Sequence, residues 1–354
     1  MKFITKTGLK ALVTGLIRDY KVYGTVKKDG FPAYGEITDA KQLVLLQTPT
    51  HLSAKGFVFP ERETLLRFNM EDGSHKPVVE AADQVIIGLH ACDIHAMLLM
   101  DRVFAYGAPD ANYLARRAKT LVIGTDCMPD EHCFCQSIGT MHATEGFDLF
   151  LHQTKNGFAI DVGTKRGAAI LRKYTKAVTA AASEIRNMEA FEKKRAGSFK
   201  TRLDAPAAAL PAIYARSDAS PVWDRIGSIC YGCGSCNNVC PTCYCFDVRD
   251  EPAANLKQGE RVRVWDACTL EEFALVAGGH NFRKPRGARL RHRFNRKFRY
   301  LTDVFNAPFC VGCGRCIRTC LVNINIAEVT NELIAEDAKR GIIDETVRTK
   351  KAER

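Results

Sequence analysis

The spacing of apolar residues changes several times along the chain. The opening stretch, MKFITKTGLKALVTGLIRDY, places apolar positions at helical intervals between Lys6, Lys10 and Arg18, and predicts an amphipathic helix. Gln84–Leu89, QVIIGL, is a short continuous apolar run of strand type, and the following HACDIHAMLLMDRVF has helical spacing. Thr120–Gly124, TLVIG, predicts a second strand of the same kind. FDLFLHQTKNGFAIDV predicts a hairpin turning at Lys155-Asn156-Gly157, because Asn-Gly readily supplies positive φ. RGAAILRKY and AASEIRNMEAFEKKRAG then predict helices. Residues 1–197 therefore read as an α/β domain. Residues 198–221, rich in Ala, Pro and Ser, read as a linker or irregular arm. Cysteine modules dominate 222–330, interrupted by an insertion over 247–309, and 331–354 read as a polar helical tail.

Length and composition narrow the class. The 354 residues, 46% apolar and 26% charged, suffice for two or three domains with real cores. No apolar run reaches the roughly eighteen residues of a membrane span. The N-terminus lacks a clean apolar region followed by a small-residue cleavage site, so a secretory signal is not expected. Fifteen cysteines in such a chain argue against a disulfide framework and for metal ligation or redox chemistry in a reducing cytoplasm.

The internal repeat carries the strongest signal. Cys230–Cys240, CYGCGSCNNVC, matches Cys310–Cys320, CVGCGRCIRTC, in the form C-x-G-C-G-x-C-x-x-x-C. Three cysteines at this spacing let a tight loop wrap a corner of a [4Fe–4S] cubane, and the glycines give the backbone the angles it needs. The fourth opens a following helix and, in two-cluster ferredoxins, ligates the other cube. The exchange assigns Cys230, Cys233, Cys236 and Cys320 to one cluster, and Cys310, Cys313, Cys316 and Cys240 to the other. Pro241 follows Cys240 as the pattern expects, whereas Leu321 follows Cys320 and departs from it. Two zinc ribbons would use two cysteines per knuckle and leave the others unexplained.

A further group lies upstream. Cys92 sits just past QVIIGL, and Cys127, Cys133 and Cys135 follow TLVIG. Ligands of parallel α/β sheets gather beyond the carboxyl ends of strands, so these four thiols could hold a third [4Fe–4S] cluster, with zinc or plain burial as the alternatives. Cys243, Cys245 and Cys268 remain, as secondary ligand candidates. The net charge of +11 treats thiols as neutral; twelve thiolates on three clusters lower it to roughly +5.

HACDIHAM…DRVF, CFCQSIGT, CGSCNNVCPTCYC, WDAC…AGGHNFR and CVGCGRC together resemble the iron–sulfur electron-transfer (A) subunit of anaerobic sulfite reductase and the β subunit of cytoplasmic nickel–iron sulfhydrogenase. The resemblance implies an N-terminal α/β domain before a helical ferredoxin-like domain with two clusters and a long insertion, an α+β or α/β architecture. It implies a non-catalytic wire joining an NAD(P)H-linked flavoprotein subunit of ferredoxin–NADP reductase type to a sirohaem or nickel–iron catalytic subunit. No G-x-G-x-x-G occurs, so flavin or NAD binding by this chain is not expected. Asp93, His95 and His280 could orient cluster ligands, or serve as a helix cap and ordinary structural groups.

Arg283–Arg299, RKPRGARLRHRFNRKFR, carries nine Lys or Arg with Phe294 and Phe298 between them. This run suits docking of an acidic redox partner or neutralisation of cluster charge. It also gives an iron–sulfur nucleic-acid-binding protein its sole support, because cations hold phosphates and rings stack on bases. A standalone ferredoxin-like carrier is the third reading, against which the large N-terminal domain stands as a docking platform.

Overall fold

The computed structural model describes residues 1–45 and 48–340. It has mixed α/β architecture and divides into two compact units. The first comprises Met1–Asp130, Met141–Phe199 and Phe246–Trp265; the second comprises Glu131–Thr140, Lys200–Cys245 and the described residues from Asp266 to Arg340.

The first unit contains both sheets. Its strands are β1 (Lys2–Thr5), β2 (Lys21–Lys28), β3 (Phe31–Glu36), β4 (Arg62–Asn69), β5 (His75–Pro77), β6 (Gln84–Leu89), β7 (Thr120–Thr125), β8 (Leu149–Gln153), β9 (Gly157–Val162), β10 (Val178–Thr179), β11 (Phe246–Pro252) and β12 (Gln258–Trp265). The large sheet has the order β10-β1-β9-β8-β7-β6-β2-β3, and the small one β11-β12-β4-β5. β2, β6, β7 and β8 run parallel, with antiparallel neighbours outside them. β6 and β7 are buried at every position, as expected for central parallel strands covered on both faces. Leu12 and Leu16 of the helix Lys6–Asp19 pack with Val85, Ile87, Ile123 and Leu149 in this core.

Three local outcomes differ from the sequence reading. The predicted opening helix is preceded by β1, which pairs with β9 and β10. The 149–162 hairpin forms, but neither Asn156 nor Gly157 has positive φ. Gly157 is required by close approach instead: a Cβ there would lie 2.2 Å from the Ile4 carbonyl oxygen of β1. The insertion 247–309 is divided rather than a single piece of the cysteine domain. β11 and β12 form a hairpin, and β12 pairs with β4 of the first unit from Gln258↔Asn69 to Val264↔Arg62. The remainder belongs to the second unit.

The second unit is helical. Its core joins Tyr214, Trp223, Phe294, Phe298 and Leu333 from the helices Leu210–Arg216, Val222–Ile229, Arg286–Phe298 and Ile326–Lys339. Trp223 meets Phe294 edge-on, with ring centroids 5.8 Å apart. Residues 198–221 are thus no linker throughout, because Leu210, Ile213 and Tyr214 are core side chains. The expected polar tail begins as part of an amphipathic helix whose Thr330 hydroxyl bonds Tyr214 Oη at 2.8 Å. Residues 341–354 of that expected tail lie outside the described residues. The helices Val222–Ile229 and Arg286–Phe298 touch backbone to backbone: a Cβ on Gly227 would stand 2.5 Å from the Gly287 nitrogen. Among the described residues no helix is long and apolar enough to cross a membrane.

Candidate metal centres

The two cysteine loops adopt matching backbones. Gly232 and Gly234 in the first have φ of 69° and 77°, and Gly312 and Gly314 in the second have 62° and 70°. Left-handed residues at equivalent places turn each loop around a hollow and lead into the short helices Ser235–Asn238 and Arg315–Arg318. Residues with a Cβ would be strained at all four positions.

Two adjoining cavities result, both within the second unit. Cys230, Cys233, Cys236 and Cys320 line the first, with Leu290, Arg293 and Phe294. Cys310, Cys313 and Cys240 line the second, with Phe134, Arg293 and Lys297. Cys316 lines both. Each loop therefore sends its fourth cysteine to the cavity of the other. Backbone amides point at the sulfurs: Gly232 N donates to Cys230 Sγ at 3.3 Å, and Ile324 N to Cys320 Sγ at 3.2 Å. The first cavity opens to solvent beside exposed Cys233, with Tyr231 67% and Leu321 73% exposed on its lining. Cys240 and Cys313 of the second are buried.

The charges around these cavities are unusual for a protein interior. Arg293 and Lys297 are 2% and 4% exposed. Among the described residues neither has a carboxylate within ion-pair distance. Arg293 donates to the Cys236 carbonyl at 3.0 Å while its Nε has no partner. Lys297 donates to Thr242 Oγ1 at 2.7 Å, and that hydroxyl meets Cys240 Sγ at 3.3 Å. Burial opposes the Lys297 ammonium, yet the sulfurs of Cys240 and Cys243 outweigh it and raise its pKa. Burial raises the Cys310 thiol as well, helped by the neighbouring Cys316 sulfur. Buried cations facing buried thiols, with no carboxylate between them, lack a counter-charge unless the sulfurs are anionic. A thiolate-ligated iron–sulfur core supplies that anion, so the donor set and its surroundings fit such a group.

The remaining cysteines behave differently. Cys243 N donates to the Cys240 carbonyl at 3.4 Å, and the neighbouring Cys243 thiol holds the Cys240 thiol well below its ordinary range. The nearby Cys268 thiol draws the Cys245 pKa down to about 6, and Asn237 Nδ2 donates to Cys268 Sγ at 3.1 Å. None of the three lines either cavity. The upstream four are divided. Cys92 lies in the first turn of the helix Ala91–Ala105 after β6, and Cys127 just past β7; these strands are parallel neighbours with Ile87 opposite Ile123. Both cysteines belong to the first unit, and Cys133 and Cys135 to the second. There Phe134 N donates to the Gly312 carbonyl at 2.8 Å, and Thr140 Oγ1 to the Val311 carbonyl at 2.8 Å, against the second loop.

Asp93 is buried in the first turn after His90, and His95 Nε2 lies 2.6 Å from the His142 carbonyl. His280 is exposed against Phe282 and lines neither cavity. Within the basic run, Arg289, Arg293 and Lys297 are buried at i, i+4 and i+8. Phe294 and Phe298 are core residues, unavailable for stacking on bases. The sequence reading treated this run as one feature. The signal that separates its cations was present: Leu290, Phe294 and Phe298 repeat at helical spacing, so the residues preceding each flank the buried face.

The donor sets fit a paired iron–sulfur centre, and comparison with known proteins defines the class, an iron–sulfur electron-transfer subunit. A family model described as a 4Fe-4S dicluster domain matches residues 229–324. The β subunit of sulfhydrogenase 2 from Pyrococcus furiosus is 36% identical over 317 residues, covering 88% of this chain and 92% of that protein. The chain belongs to the sulfhydrogenase β-subunit family. No solved structure matches it.

Proposed function

We propose that this chain carries electrons between an NAD(P)H-linked flavoprotein subunit and a catalytic subunit of hydrogenase type, in the reducing cytoplasm. The family membership favours the nickel–iron partner over the sirohaem one. Cys230, Cys233, Cys236 and Cys320 would hold one [4Fe–4S] cluster, and Cys310, Cys313, Cys316 and Cys240 the second. Cys92, Cys127, Cys133 and Cys135 would hold a third. The observation that carries this reading is the pair of buried cations, Arg293 and Lys297, facing sulfur and no carboxylate. Bound clusters would supply one-electron redox capacity. The chain's own part is to fix the sulfurs, exclude water from the second cavity and aim amides at ligand sulfurs.

Iron and sulfide analysis of anaerobically purified protein tests the ligand sets. About 8 iron atoms per chain supports the ferredoxin pair alone, and about 12 supports the upstream site too. Hydrogen-dependent NAD(P)+ reduction should appear only when flavoprotein and catalytic subunits are added. Turnover by the isolated chain, or zinc in place of iron, would sink the proposal.

A further inference from the structure

Arg293 stands at a point common to both cysteine loops. Its guanidinium donates to the carbonyl of Cys236, the third cysteine of the first loop, at 3.0 Å. It shares the lining of both cavities with Cys316, the third cysteine of the second loop. It lines both cavities, whereas Lys297, one helical turn further, lines only the second. The backbone contact at Gly227 and Gly287, with Leu290 and Phe294 in the core, fixes this helix and therefore the charge it carries. The two loops repeat each other, but among the described residues one cation lines both cavities.

We propose that Arg293 is a single charge shared by two redox sites: it sets both reduction potentials together, while Lys297 tunes only the second. The inference rests on the reading that both cavities hold [4Fe–4S] clusters. Reducing either one adds one negative charge, and a fixed buried cation stabilises that state through a medium that screens poorly. One guanidinium between the sites shifts both couples in the same direction. Such a common shift leaves their difference unchanged. A cation on one side only would separate them.

The test is a potentiometric titration of the anaerobic full-length holoprotein, read by paramagnetic resonance. Cys233→Ser marks which signal belongs to the solvent-facing site. For Arg293→Gln, both midpoints should fall by at least tenfold in the reduction equilibrium, about 59 mV for a one-electron couple. For Lys297→Gln, the second site should fall and the first stay. Arg293→Lys should return both towards wild type, which a purely packing role for Arg293 does not predict. A shift at one site alone, or at neither, overturns the proposal. Should Arg293→Gln take up no iron, Lys297→Gln decides: equal movement of both midpoints overturns it, and movement of the second alone supports it. A wild-type protein without two cubane signals would defeat the cluster reading itself, an outcome distinct from unmoved potentials in a fully loaded variant.

Discussion

The β12 network of the first unit and the cavity walls of the second handle buried cations in opposite ways. In the first, Arg263 on β12 is 2% exposed and lies between Glu63 and Asp110, with Nε 2.9 Å from Glu63 Oε1. Arg116 closes the network on the other Glu63 oxygen at 3.1 Å. Every charge there is answered by a side chain of the same unit. In the second, Arg293 and Lys297 are just as buried, and sulfur takes the place of carboxylate. A unit that makes its own counter-charges is complete as polypeptide, whereas one that leaves its cations to thiolates is complete only with what the thiolates bind.

The largest expected effect separates the units outright. Chelating the iron under anaerobic conditions should strip amide-exchange protection from the helices Val222–Ile229 and Arg286–Phe298, with β6 and β7 still protected. Uniform loss, or no loss, would break the contrast. Next comes Arg263→Ala, which removes the cation shared by Glu63 and Asp110, leaves Glu63 only Arg116, and should cost about 3 kcal/mol in the first unit. The iron–sulfur absorbance of the second unit should be unchanged in that variant below its melting point.

A smaller effect comes from pH. Burial opposes a charge on His152, but Asp126 and Asp161 outweigh it, with ring nitrogens 3.1 Å from each carboxylate, and raise its pKa to about 9. Because the folded value exceeds the unfolded one, the stabilisation is fully present below about pH 6.5 and is lost as pH rises through 9. Thermal melts should fall across that window by an amount worth about 3 kcal/mol, and His152→Gln should abolish the dependence. The smallest is Tyr214→Phe in the second unit. It removes a buried neutral hydrogen bond to Thr330 and should cost about 1 kcal/mol in holoprotein, measured by denaturant midpoint. A much larger cost would mean that packing, rather than cluster charge, governs that unit.

Much of this was legible from residues alone. β6 and β7 followed from uninterrupted apolar runs, since central parallel strands need apolar residues on both faces. The expected exchange of fourth cysteines rested on a spacing too short for one loop to close its own site; Cys320 lines the first cavity and Cys240 the second. Residues 198–221 misled because Ala and Pro mark loops statistically, while Leu210, Ile213 and Tyr214 sit at helical spacing that only a neighbouring helix rewards. The Asn156-Gly157 pair misled because glycine also answers a close approach from a distant strand.

By itself, then, the sequence determined which cysteines stand at cluster-ligand spacing and in what order the chain presents them, because spacing is a local property of the backbone. It also determined the parallel strands, whose pattern is one-dimensional. The tertiary structure alone decided that β11 and β12 pair with β4, and which cations of the basic run turn inward. It alone brought one arginine between two loops eighty residues apart. Those outcomes depend on burial and charge summed over segments distant in sequence, which no local pattern records.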